Sequence, residues 1–142
     1  MLQISNVTKL MCGIILITVP AIEFGGAFLL KMLRTREAGY MDNPIRQNLF
    51  RAGHAHAGVI VILSLICQVL VDSIILPDVL AWLVRIGVPA TAILMPLGFF
   101  LSVVSPRSER PNAAIRLVYV GAVILAISML ILGIGLIRAG VY

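Results

Sequence analysis

Charge is scarce in this chain. Of its 142 residues, 12% are Asp, Glu, Lys or Arg and 61% are hydrophobic, giving a mean hydropathy of +1.09. A water-soluble domain of this length needs far more polar surface, so the composition expects the bilayer as solvent and excludes the soluble-enzyme classes. Cysteine is limited to Cys12 and Cys67, both inside apolar runs. Their spacing forms no disulfide framework and no thiolate metal site. The alternation of apolar and polar residues that a transmembrane strand requires is missing. So are a phosphate-binding glycine loop, a nucleophile elbow and a kinase-like set of motifs. No internal repeat or low-complexity stretch interrupts the chain. No cleavable signal pattern is read at the start, because the first apolar run exceeds a signal h-region and lacks an A-x-A site.

What the chain has instead is long apolar runs, expected to form a single all-α domain: a polytopic four-helix transmembrane bundle. Only helices or closed barrels satisfy the backbone in lipid, and about 18–20 residues of helix span the hydrocarbon. The expected spans are residues 7–33, 49–76, 79–104 and 112–137. Pro20 predicts a kink in the first, and Pro89 and Pro96 a distorted third. Residues 45–50 could form a short interfacial helix. Residues 79–84 read either as the first turns of the third span or as an interfacial segment anchored by Trp82, with Arg85 at the boundary. Pro111 fits the first turn of the fourth.

The formal net charge of +5 is not a nucleic-acid signature, because the cations sit between the apolar runs. Lys31, Arg34, Arg36, Arg46 and Arg51 flank the first loop, and Arg107, Arg110 and Arg116 flank the third. Lys9, Arg138 and Arg85 lie toward the opposite side. The positive-inside rule therefore expects a cell-membrane protein with both basic loops cytoplasmic and both termini outside. The expected partners are the lipid bilayer and further copies of the chain, or another membrane subunit.

The polar residues inside the runs are the candidate site. The second span opens with Arg51, His54 and His56, and these are the two histidines of the chain. At about 100° per residue, His54, Gly58, Val61, Leu65, Gln68 and Asp72 form one stripe, whereas His56 stands about 200° from His54. A regular helix cannot turn both imidazoles onto one metal, and the H-E-x-x-H spacing is absent. Histidines near Arg51 can simply be solvated at the interface. Alternatively, His54 meets Glu23, which lies about 12 Å along the first helix from Lys31. Intramembrane carboxylates are costly and usually functional. The small residues around them (Ala52, Gly53, Ala55, Ala57 and Gly58, with Gly25 and Gly26 opposite) allow close helix approach, as do Gly121, Gly133 and Gly135.

The segment from Glu23 through Gly26 to Lys31 has an E-x-x-G-x(4)-K spacing that resembles the first helix of small multidrug-resistance exporters. That resemblance implies proton exchange at Glu23. The long basic linker and the histidines depart from the pattern. The length, the four spans and the Arg51-Ala52 start are also similar to membrane-bound glutathione transferases. The asparagine and glutamate which that family places further along the helix are absent here.

Three functions follow as expectations. In the first, the protein binds a transition metal or haem, with His54 as first ligand, Glu23 as ligand or orienting group, and His56 as ligand across a subunit interface. In the second, it is a proton-coupled carrier of a small solute, with Glu23 as proton site and Gln68 and Asp72 along the pathway. In the third, it is a non-catalytic membrane partner subunit.

Overall fold

A computed structural model describes residues 4–141. Among them there is no strand, and every long element is a helix. Helix α1 spans Asn6–Arg34 and starts at Ser5, whose hydroxyl accepts from the Thr8 N–H at 3.1 Å. Its other end is a Schellman turn: the Arg36 and Glu37 N–H groups return to the Leu33 and Met32 carbonyls, with Arg36 at φ 50°. A single turn, α2 (Ala38–Met41), follows. Helix α3 spans Pro44–Val71, with Asn43 accepting from the Arg46 N–H and Pro44 in the first turn. Helix α4 covers Asp78–Ser102; a 3-10 turn, Ala113–Ile115, leads into α5, Arg116–Val141.

These bounds differ from the expected ones in informative ways. The second helix begins at Pro44, not near residue 49, because the Asn43 cap acts earlier than the apolar run does; residues 45–50 are its opening turns. It ends at Val71, since the Asp72 carboxylate turns away to α1 and α4 and Pro77 restricts Leu76. Residues 79–84 belong to α4 itself. Pro111 precedes the helix cap, Asn112, instead of entering the first turn.

Four helices are long and apolar enough to cross a membrane. They pack in a chain-order row: α5 on α4, α4 on α3, and α1 leaning on α3. The main core joins Ile60, Cys67 and Val71 of α3 to Val84, Val88 and Met95 of α4 and Leu132 of α5. Helices α4 and α5 come so close that a Cβ at Gly98 would stand 2.8 Å from the Val118 backbone nitrogen. Gly121 likewise faces Met95 and Gly135 faces Ile74, so these two glycines serve contacts within the chain. A second cluster at the opposite end holds Leu29, Met32, Tyr40, Phe50 and Val103.

The two basic loops form one cap over that second cluster. Asn43 Nδ2 donates to the Pro106 and Ser108 carbonyls at 3.1 and 2.9 Å. The buried Arg46 side chain donates to the carbonyls of Gly39, Val103 and Val104, satisfying the C-terminal end of α4. Outside these contacts the helices present large apolar side chains outward, with Ile17 80% and Phe24 75% exposed.

Candidate functional site

Helix α1 touches the rest of the molecule sparsely, and the glycine pair at its middle explains where it does. Gly25 and Gly26 form a shallow seat for the His54 ring of α3. A Cβ at Gly25 would lie 3.5 Å from Nδ1; one at Gly26 would lie 3.1 Å from Cε1 and 3.2 Å from Nε2. A side chain at position 26 would press on the imidazole and force it to shift by a few tenths of an ångström. The ring is half-buried, and its nitrogens have no hydrogen-bond partner among the described residues. Because α3 starts at Pro44, His54 sits about 15 Å from the helix start by rise, deeper than its proximity to Arg51 suggests.

The seam has a cavity on each side. The inner one, about 370 Å³, is lined by α1, α3 and α4. Its walls are apolar, from Ile15 and Ala21 to Pro89, Ala92, Pro96 and Phe100. Three polar side chains reach it: Thr18, Ser64 and His54. Thr18 and Ser64 donate back to the carbonyls of Ile15 and Ile60 on their own helices, so His54 is the uncommitted polar group. The outer cavity, about 480 Å³, lies between α1 and α3 and is lined by Glu23, Gly26, His54 and Gly58 among others. Glu23 is exposed and lines the same cavity as His54, with no hydrogen bond between them.

His56 stands elsewhere. Its Nδ1 lies 2.7 Å from the Ala52 carbonyl, and its ring packs tilted against Phe99 of α4 at 5.0 Å between centroids. A carbonyl only accepts, so Nδ1 carries the proton and Nε2 is left with its lone pair. The two imidazoles therefore face different helices. Among the described residues no three His, Cys, Asp or Glu side chains converge as a metal site would require.

Gln68 and Asp72 are brought together with each other but not with Glu23. Asp72 pairs with Arg85 of α4 at 2.5 Å and accepts from the Ser5 N–H and hydroxyl at 2.8 and 3.0 Å. Arg85 also donates to Thr8 Oγ1 at 2.7 Å and Gln68 Oε1 at 3.1 Å, while Gln68 Nε2 donates to the Arg85 carbonyl. Thr8 in turn reaches the Gln68 carbonyl. This is a closed network that pins the start of α1 to α3 and α4. Burial alone would push the Asp72 carboxyl up; the hydrogen bonds from Ser5, Thr8 and Arg85 outweigh it and hold it at about 2, against an ordinary 3.8. Arg85, Ser5 and Thr8 were not singled out from the sequence as site residues. The available signal was Arg85 itself, a cation inside the third span once that helix is started at Asp78.

The fold defines an all-helical protein with four apolar helices of membrane-crossing length. Comparison with protein-family models, curated proteins and solved structures finds no match to the chain.

Proposed function

We propose that the chain is an integral membrane protein crossing the bilayer four times, and that it holds a lipid-soluble small molecule in the inner cavity with His54 as its polar contact. The outward apolar side chains and the length of the helices support the membrane reading. The two basic loops, joined in one cap, favour the cytoplasm for that end and the outside for both termini. Arg85 no longer weighs against this orientation, because Asp72 neutralises it.

The observation that carries the ligand is the contrast within the inner cavity: an apolar pocket with one polar group free to bind. Small-molecule sites are typically concave and apolar, with few placed polar groups. Protein purified in mild detergent and extracted with organic solvent should release one enriched lipid-soluble species by mass spectrometry. Ala92→Phe, which fills the cavity, and His54→Ala should both lose it. An extract that matches bulk lipid in all three would refute the proposal.

A second reading, proton-coupled transport with Glu23 as proton site, is favoured by the shared outer cavity of Glu23 and His54. Proteoliposome flux indifferent to Glu23→Gln would count against it. Gln68 and Asp72 serve such a pathway less well, since their polar atoms are engaged by Arg85, Ser5 and Thr8. Haem or metal binding would have His54 as the ligand from one chain and need His56 from another. A visible spectrum and metal content, measured on the same purified sample, test that reading: a band or metal lost in His54→Ala supports it.

A further inference from the structure

We infer that the groove between α1 and α3 binds one anionic phospholipid, with its phosphate at Lys31, Arg34 and Arg51 and one acyl chain in the outer cavity. This rests on the membrane reading and is independent of the inner cavity. A further pocket, about 490 Å³, lies at the basic end of α1 and is lined by Ala27, Leu30, Lys31, Arg34 and Thr35. Ala27 also lines the outer cavity, so the two spaces adjoin along α1. One end of the groove is thus cationic, and the other is walled mainly by the aliphatic side chains of Val19, Ile22, Val61 and Ile62. By helix rise, Val19 to Arg34 spans about 22 Å. That matches one bilayer leaflet with its head groups, about 20 Å.

The three cations are free to take a phosphate. All are exposed, and among the described residues the one ion pair is Arg85 with Asp72. Lys31 and Arg34 stand three residues apart, on one helix face. Arg51 follows Phe50, which packs with Leu29 and Met32, so it lies at the height of this basic end. Arg51, Gly58 and Ile62 recur at helical spacing, and Gly58 and Ile62 line the outer cavity. Thr35 donates its hydroxyl to the Lys31 carbonyl at 3.0 Å, which leaves the cations as the donors of the pocket. The acids that follow along the chain, Glu37 and Asp42, pair with none of them. Glu23 lies about 12 Å from Lys31 along α1, at the depth of the acyl chain. At Gly58 the groove is open, because a Cβ there would meet no atom within 4 Å. Clustered cations above an apolar trough favour an anionic phospholipid. A choline head group would instead bring its own cation against three others.

The test is electron paramagnetic resonance of chain-spin-labelled phosphatidylglycerol and phosphatidylcholine in liposomes that carry the protein. The motionally restricted signal should favour phosphatidylglycerol. Lys31→Gln, Arg34→Gln and Arg51→Gln should each lower that preference about fivefold. Gly58→Leu, which fills the groove, should lower it with all charges kept. Arg107→Gln with Arg110→Gln removes as much charge from residues that line neither space, and should leave the preference intact. So should Ala92→Phe; a preference lost there would move the lipid to the inner cavity and overturn the inference. Excess inorganic phosphate should not compete; if it abolishes the preference, the site is one for free anions and the lipid assignment fails. Protein that does not float with the liposomes would refute the membrane reading and this inference with it. Protein that floats but shows no preference, or the same preference in the three Gln variants, would refute the groove site alone.

Discussion

At the scale of single residues, Asp72 is the group that ties the start of α1 to α3 and α4. Its carboxylate holds Arg85 and the first turn of α1 at once. Removing its charge leaves a guanidinium that is 9% exposed without a counter-ion, and unpaired buried charges of this kind typically cost about 3 kcal/mol. Asp72→Asn should therefore lower the thermal unfolding midpoint markedly in detergent, and Arg85→Gln added to it should recover part of the loss. The pH dependence has a definite sign. The folded-state value, about 2, lies below the ordinary 3.8, so the stabilisation is complete above 3.8 and is lost as pH falls toward 2. A wild-type midpoint that drops over that window, and drops less in Asp72→Asn, is the expected result. Equal slopes in the two proteins would contradict it.

At the scale of elements, the cap depends on Arg46. Its planar fork reaches three carbonyls, Gly39, Val103 and Val104, that otherwise end α2 and α4 unsatisfied. Each such charged hydrogen bond contributes about 1.5–3 kcal/mol, and lysine cannot reproduce the fork. Arg46→Ala should expose the loop 103–112 to limited proteolysis, and Arg46→Lys should rescue little; resistance equal to wild type in both would show that the loops hold together without it. The same residue marks the limit of legibility in the sequence. The apolar runs revealed four helices because period and length suffice for that. Arg46 read as a topogenic cation, since nothing local tells a buried arginine from a loop arginine until the carbonyls of a distant helix arrive beside it. Asp72 and Gln68 were visible as one stripe with His54, but that stripe carries two different environments. His54 meets glycines and a cavity, whereas Gln68 and Asp72 meet Arg85, and only the placement of α1 separates them.

At the scale of the whole molecule, α1 is the outlier. It is fastened at its start by Ser5 and Thr8 and at its end by Leu29 and Met32, and between them it closes on α3 at the His54 seat. The two cavities exist because of that arrangement. The proposed orientation predicts that, in a background lacking Cys12 and Cys67, Glu109→Cys is labelled from the cytoplasmic side and Ile75→Cys from outside. The reverse pattern would invert the topology.

The central claim is that the inner cavity is a ligand site anchored by His54, and native mass spectrometry of the protein released from mild detergent tests it most directly. The account predicts a discrete added mass on the wild-type chain, absent from Ala92→Phe and reduced in His54→Ala. A bare chain mass in the wild type, or an added mass that persists unchanged in both variants, would contradict it.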